Sequence, residues 1–369
     1  MRKPKQLVAA ILAATMMAAS LAGCSAKTAT TTTTEATSSA SKTDSTSSAS
    51  KTEATSSATV KEGQYTMTRE EIREEANKLV STNDAGEIVV KHKYGETVMP
   101  KDPQRIVSIK LEDLMLALNI DMVAARNFEG MYLEDQLNDL GIGTIAVDED
   151  ANTINLEQVL SYEPDLIVIR DAFDQSIYDE LSKIAPTIAF HLQDAQVSLL
   201  ALGKAMNMEE AAEARLDEYY QKADEARAKL SALSGETVAM LRILKKEIRL
   251  YPYSKNDMSS FLYHDLGLTP DPMVEAYDTA DNLAISMETL PDLKADRIIL
   301  IAGYGTSSDE NVAAAKARYD EIKADPLWQS VPAVQNGKIY EMDSRVWLTH
   351  GILANEMKFD ELVRDLVSE

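Results

Sequence analysis

Short apolar runs recur at 106–109, 122–125, 145–147, 166–169, 188–190, 238–241, 298–301 and 339–342, and the residues that follow them are the ones equipped for chemistry. Lys110 follows the first run, Arg126 the second, Arg170 the fourth and His191 the fifth. Arg242 ends the 238–241 run, Tyr304 follows 298–301, and Trp347 lies just after the last. If the runs are parallel strands, these side chains gather beyond their carboxyl ends, where open α/β sheets bind ligands. Guanidinium forks suit bidentate contact with carboxylate and similar paired anionic oxygens. Tyr251, Tyr304 and Trp347 could cover an organic shell or stack on a cation. A plainer role is open to two of the arginines: Arg126 and Arg170 stand near Glu129 and Asp171, with which they could form solvated ion pairs of little energetic value.

A basic cluster would be a local exception in this chain. The formal net charge is -23 over 369 residues, which excludes the basic face that nucleic acid requires and electrostatic adhesion to anionic lipid. The single cysteine, Cys24, rules out an intramolecular disulfide. The histidines, His92, His191, His264 and His350, are too dispersed for the close spacing of a zinc site. The sequence contains no G-x-S-x-G elbow, no G-x-x-x-x-G-K phosphate loop and no H-E-x-x-H, so no enzyme is indicated.

The elements that must position these residues follow from the pattern. Runs this short, apolar on both faces and alternating with helical segments, predict parallel strands buried between helices, an α/β fold. Residues 196–233, rich in Ala, Glu, Lys and Leu and free of Pro, predict one long helix between two sets of strands. The expected organisation is an N-terminal α/β lobe over 63–195, the linking helix, and a C-terminal α/β lobe over 234–369: two Rossmann-like lobes with parallel sheets. A short helix is expected from Thr68, with Glu71 completing a capping box, followed by a hairpin turning at Tyr94-Gly95.

One pattern occurs twice. Asn155-Leu156-Glu157 leads to Asp165 and an apolar strand, and Ser286-Met287-Glu288 leads to Asp296 and another. Each lobe thus presents one Glu near the start of a short helix. Such a Glu complements the helix dipole, and that alone would account for it.

The first residues form a different kind of segment. Arg2, Lys3 and Lys5 precede an apolar run too short to span a bilayer stably, and Leu21-Ala22-Gly23-Cys24 follows. This resembles the lipobox of bacterial lipoproteins, which implies that 1–23 is a leader cleaved before Cys24 and that the Cys24 thiol carries diacylglycerol. Residues 24–62, almost wholly Ser, Thr, Ala, Lys and Glu, are expected to be a disordered tether with a mean reach of roughly 35 Å.

Pro103-Gln104-Arg105-Ile106-Val107, Tyr162-Glu163-Pro164-Asp165-Leu166-Ile167, the Tyr178 to Thr187 segment and the stretch from Asp325-Pro326-Leu327-Trp328 to Tyr340 together resemble the solute-binding proteins for ferric siderophores and vitamin B12. The likeness runs from about Lys91 to Leu366. It implies two lobes bridged by one long helix, a monomer on the outer face of a bacterial membrane, and delivery of a ferric siderophore to an ABC permease dimer with its ATPase. It implies no cofactor, since a siderophore supplies its own iron donors. It places a ligand-contacting arginine at Arg242, a cleft-lining segment around Trp347, and permease-docking carboxylates at Glu157 and Glu288. Leu111-Glu112-Asp113 looks like catecholate receptors, whereas Glu247-Ile248-Arg249-Leu250-Tyr251 resembles hydroxamate ones, so the ligand class stays open. Haem or cobalamin is the alternative guest, with His191 or Tyr304 as a possible axial ligand to haem.

Overall fold

The computed structural model describes residues 65–367 apart from 150, 254, 278 and 304–308. Cys24, the expected leader and tether over 1–62, and Tyr304 therefore lie outside the described residues. The capping box forms as expected: the Thr68 hydroxyl accepts from the Glu71 N–H and the Glu71 carboxylate accepts from the Thr68 N–H, starting helix α1 (Arg69–Leu79). A small antiparallel sheet follows, β1 (Val80–Thr82), β2 (Ile88–His92) and β3 (Gly95–Val98).

The N-terminal lobe is built on β4 (Ile106–Ile109), α2 (Glu112–Ala117), β5 (Ala124–Arg126), α3 (Glu134–Asp139), β6 (Gly143–Ile145), a small hairpin of β7 (Val147–Asp148) and β8 (Thr153–Ile154), α4 (Leu156–Ser161), β9 (Leu166–Arg170), α5 (Gln175–Ile184) and β10 (Thr187–Phe190). Its sheet order is β10-β9-β4-β5-β6, parallel throughout. The strands alternate between two cores: Leu166 and Val168 point into one apolar cluster, Ile167 and Ile169 into the other. That is why they read as continuous apolar runs.

The stretch predicted as one helix is two. Helix α6 (Ala195–Ala205) ends in a Schellman turn: Asn207 takes a left-handed φ of 55°, the Met208 N–H reaches the Gly203 carbonyl at 2.7 Å and the Asn207 N–H the Lys204 carbonyl at 3.3 Å. Asn tolerates this conformation better than other side chains. The chain then folds back as α7 (Glu209–Leu230), packed so closely that a Cβ on Gly203 would overlap that of Ala212. Helix α7 is the one that carries the chain from the N-terminal to the C-terminal lobe.

The C-terminal lobe contains β11 (Thr237–Ile243), β12 (Ile248–Leu250), α8 (Ser260–Tyr263), β13 (Thr269–Pro270), α9 (Pro272–Glu275), β14 (Leu283–Ile285), a 3-10 turn at Met287–Asp292, β15 (Arg297–Ala302), α10 (Asp309–Lys323), α11 (Pro326–Gln329), α12 (Pro332–Gln335), β16 (Ile339–Met342), α13 (Ser344–Trp347) and α14 (Ile352–Val367). Here the expectation of a parallel sheet needs correction. Strands β11, β13, β14, β15 and β16 run the same way, but β12 runs opposite to them and pairs antiparallel with both β11 and β14. The tight turn after Ile243, closed by the Leu244 N–H on the Glu247 carbonyl at 2.9 Å, sends β12 straight back along β11.

The repeated sequence pattern has a structural counterpart in its aspartates. Asp165 accepts from the Gln104 and Arg105 N–H groups at 2.7 and 2.8 Å, tying the start of β9 to that of β4. Asp296 accepts from the Thr237 N–H at 2.8 Å, tying β15 to β11. Each lobe fastens its central strand pair with one such clamp.

Besides α7, a second connection crosses between the lobes. Asp113, on α2 of the N-terminal lobe and 2 % exposed, accepts from the Leu353 and Ala354 N–H groups of α14 at 3.0 and 2.9 Å, and from the Tyr132 hydroxyl at 2.9 Å. It caps a helix that belongs to the other half of the molecule, satisfying donors that would otherwise be orphaned. Gly351 allows this approach, since a Cβ there would overlap the Asp113 carboxyl. Removing the cap leaves buried N–H groups unpaired, so Asp113→Ala is expected to cost about 1–3 kcal/mol, read as a lower urea midpoint. An unchanged midpoint would show that the cap carries no stability.

Candidate functional site

Beyond the carboxyl ends of β4, β5 and β9 the structure brings Lys110, Arg126 and Arg170 together, and adds carboxylates that the sequence reading passed over. Glu149, in the β7–β8 hairpin, takes Arg126 Nη1 at 2.8 Å and Lys110 Nζ at 2.9 Å. Burial pushes its pKa up, but the charges of Arg126 and Lys110 outweigh that and hold the carboxyl below its ordinary range. Arg126 thus pairs with Glu149, not with Glu129, and its Nε lies 3.8 Å from Glu112. Glu112 is 2 % exposed, and one of its oxygens accepts from the Lys110 N–H at 2.7 Å and the Arg126 N–H at 3.1 Å. It therefore fixes two strand ends at once. Lys110 is held in a left-handed φ of 66°, a conformation that places its ammonium toward Glu149, the Asn152 amide oxygen (3.0 Å) and the face of Phe173.

Arg170 is different. It forms no ion pair among the described residues, and its buried Nε has no hydrogen-bond partner. Burial is the main influence pushing its pKa down, and the like charge of Arg126 adds to it, with Asp171 and Glu149 acting the other way. Asp171 spends its hydrogen bond on His191 Nδ1 at 2.9 Å. An unpaired guanidinium beside a second one is costly, and an incoming anion would relieve it.

From the C-terminal lobe Arg345, on α13, lies over Gly130 in the loop after β5, in space a Cβ would need. It crosses the groove between the lobes and has no carboxylate partner among the described residues. Arg345 stands two residues before Trp347, within the cleft-lining segment that the resemblance implies. Arg242, the penultimate residue of β11, donates from Nε to the Gly303 carbonyl at 2.8 Å and sets its charge against the Tyr251 hydroxyl.

Two expected groove residues are placed elsewhere. Trp347 and Tyr251 are both 0 % exposed. Trp347 donates to Glu361 at 2.6 Å and packs near Phe261, so in this structure it is part of the C-terminal core, and Tyr251 lies beneath Arg242 as support. His191 sits at the groove edge, half exposed, with one ring nitrogen committed to Asp171. Glu157 and Glu288 are both exposed, each the second residue of its short helix or 3-10 turn. The Ser286 hydroxyl holds the Glu288 carboxyl below its usual range.

Glu149 could have been found from the sequence. It follows the 145–147 run, the one early strand whose successors are acidic. Arg345 could not, because nothing in the order of residues shows that it reaches Gly130.

The histidine pair carries a pH signature. The Asp171 hydrogen bond raises His191 above its ordinary 6.5, whereas burial lowers His350 well below it. The His191–Asp171 pair therefore stabilises the fold fully below that ordinary value, and the contribution fades as pH rises through the raised one. In an NMR titration His191 is expected to titrate above 6.5 and His350 below, with Asp171→Asn bringing His191 down. A His191 titration indifferent to that substitution would remove the pairing.

With this geometry in hand, known proteins can be compared. A family model described as periplasmic binding protein matches residues 113–346, more than half of the chain. The chain is 27% identical over 280 residues to the probable siderophore-binding lipoprotein YfiY of Bacillus subtilis, covering 71% of this chain and 82% of that one. It is 25% identical to the Fe(3+)-citrate-binding protein YfmC of the same organism, over 76% of this chain and 86% of the other. Among solved structures, Staphylococcus aureus SirA complexed with staphyloferrin B superposes with a TM-score of 0.63 at 25% identity, covering 75% of this chain and 98% of SirA. Two lobes bridged by a helix, a charged groove between them and a match of this extent lead to one assignment: the chain belongs to the periplasmic binding protein family.

Proposed function

We propose that the protein is a lipid-anchored extracytoplasmic receptor that captures a ferric siderophore between its lobes and delivers it to an ABC permease. The observation that carries this reading is the pair of guanidinium groups without carboxylate partners among the described residues, Arg170 at the end of β9 on one lobe and Arg345 on the other, which reaches across to Gly130. A hexadentate ferric complex is large, rounded and often anionic, and it exposes hydroxamate, catecholate or carboxylate oxygens that such forks can grip. Iron stays inside the siderophore, so the protein supplies no metal ligands of its own. The relatives whose names state a ligand, Fe(3+)-citrate and iron(3+)-hydroxamate among them, support a ferric complex as the guest.

Glu149 has a definite part in this reading. Its carboxylate occupies the place between Lys110 and Arg126 that a ligand oxygen would take. It keeps both cations neutralised and in position, and it must yield when an anion enters. Glu157 and Glu288, outward on equivalent short helical turns, are assigned to docking on the arginines of a two-fold permease, where separated carboxylates fix register. Cys24 with its diacylglycerol would keep the receptor at the outer face of the membrane, as a monomer on its tether.

Three variants should move affinity, two of them down and one up. Arg170→Ala is expected to weaken ferric-siderophore binding by about 1.5–3 kcal/mol, the range for hydrogen bonds to charged groups, and Arg242→Ala to do the same. Glu149→Gln removes the internal competitor and should tighten binding severalfold at low salt. Quenching of intrinsic Trp fluorescence by a panel of ferric siderophores measures all three, and affinities unmoved by Arg170→Ala would remove the groove from ligand capture. Separately, the double variant Glu157→Ala with Glu288→Ala should keep wild-type affinity and lose uptake of labelled ferric siderophore by cells. Normal uptake at native expression would refute the docking role.

A further inference from the structure

The groove does not end at the arginines. His350 feels the positive charges of Lys358, Arg170 and His191, and it also lines a cavity of about 120 Å³ that reaches back toward α7. The chemistry there is reversed. Asp194, Asp257 and Asp265 line the cavity, and neither Lys nor Arg is among the described residues that do. Asp194 and Asp257 are exposed at its rim, and burial together with the charge of Asp194 pushes Asp257 up.

Asp265 lies deep, 7 % exposed, and its carboxyl oxygens have no hydrogen-bond partner among the described residues. Arg227, the nearest cation, gives its Nε to the Asp265 backbone carbonyl at 2.6 Å, not to the side chain. Burial leaves Asp265 titrating at about 7. A second acceptor points the same way: Gln193 Oε1 is buried without a partner and Gln193 lines the same cavity. Buried polar groups are normally satisfied, so two orphaned acceptors in one chamber call for a donor. A carboxylate at the base favours a charged donor over a neutral one; the rings of Tyr220 and Phe261 do not add to this, since Arg69 and Lys358 already lie over them at 4.7 and 5.2 Å. A metal ion fits poorly, because among the described residues no three His, Cys, Asp or Glu side chains converge as ligands.

We propose that this chamber receives an alkylammonium group of the ligand, with Asp257 at its mouth and Asp265 at its base, so that the preferred guest is a dipolar ferric complex: anionic donor oxygens toward Arg170 and Arg345, a pendant primary amine toward the acids. This rests on the reading of the protein as a ferric-siderophore receptor and specifies which siderophores it takes.

A matched pair of probes isolates the amine. Ferrioxamine B is a ferric trihydroxamate ending in a free primary ammonium, and N-acetylation removes only that charge. By titration calorimetry the full-length protein should bind the amine form at least about tenfold more tightly, as expected for a hydrogen-bonded charge in a partly buried site. Asp257→Asn and Asp265→Asn, each nearly isosteric, should erase that preference while leaving the affinity for the acetylated form unchanged. Because Asp265 is unpaired, its substitution should not lower the melting temperature, and Asp257, exposed at the rim, provides a variant with no folding risk. Pentylamine alone, added as competitor, tells a free amine from a pendant one: displacement of the acetylated complex would place amine and iron complex at one site and overturn the two-ended cleft. Equal affinities for the pair, a preference that survives both substitutions, or tight binding only of ferric siderophores lacking a cationic group would also overturn it. Failure to bind any ferric complex would instead remove the receptor reading, and this proposal with it.

Discussion

Asp113 holds the molecule's two halves in one geometry. A carboxylate with 2 % exposure is costly unless its lone pairs are filled, and here backbone donors of α14 and the Tyr132 hydroxyl fill them. Its neighbour in sequence, Glu112, is equally buried and faces the other way, onto the N–H groups of Lys110 and Arg126. The first turn of α2 thus performs two tasks with adjacent residues. One fixes the cations of the groove, and the other fixes the helix that brings the far lobe to them. Burial pushes both carboxyls up in pKa, so each depends on the other elements staying where they are.

Helix α14 is tied along its length as well as at its start. Glu356 pairs with Arg215 of α7 at 2.7 Å, Asp360 with Lys222 at 2.8 Å, and Tyr219 stacks obliquely near Phe359. Lys358, 1 % exposed, donates to the Thr349 carbonyl at 2.6 Å, and burial lowers its pKa to about 7. A helical bridge with a second helix fastened beside it leaves little freedom for wide hinge rotation. Adjustment to a ligand then falls to side chains and to loops such as the β7–β8 hairpin, which carries Glu149 and leads directly into α4 with Glu157.

Much of this was legible before any coordinates. Strand positions, the Thr68–Glu71 capping box and the duplicated Glu–Asp pattern all rest on local periodicity or on short-range hydrogen bonding, which sequence order preserves. What it hides is convergence. Lys110, Arg126 and Arg170 were identifiable as strand-end cations, but whether a carboxylate reached each one was not: Glu149 takes the first two and leaves the third. The aromatic assignments fared less well for the same reason, since Trp347 and Tyr251 follow strands in the chain yet turn into the core. The break at Asn207 was also missed, because one left-handed residue in an otherwise helical composition has little weight until tertiary packing rewards it. Gly203 against Ala212 is that reward.

One face of α7 receives the beginning of the folded chain. Glu213, Asp217, Tyr220, Asp224 and Arg227, spaced three and four apart, meet Arg73, Arg69 and Tyr65 in turn: a two-pronged bridge from Arg73 to Glu213, an ion pair from Arg69 to Asp217, and a Tyr65 hydroxyl on Asp224 at 2.5 Å with Arg227 over the ring. Mechanically, the first described residues rest on the strut shared by both halves and not on either half alone. A pull applied at Tyr65 would load that strut and would not pry the halves apart.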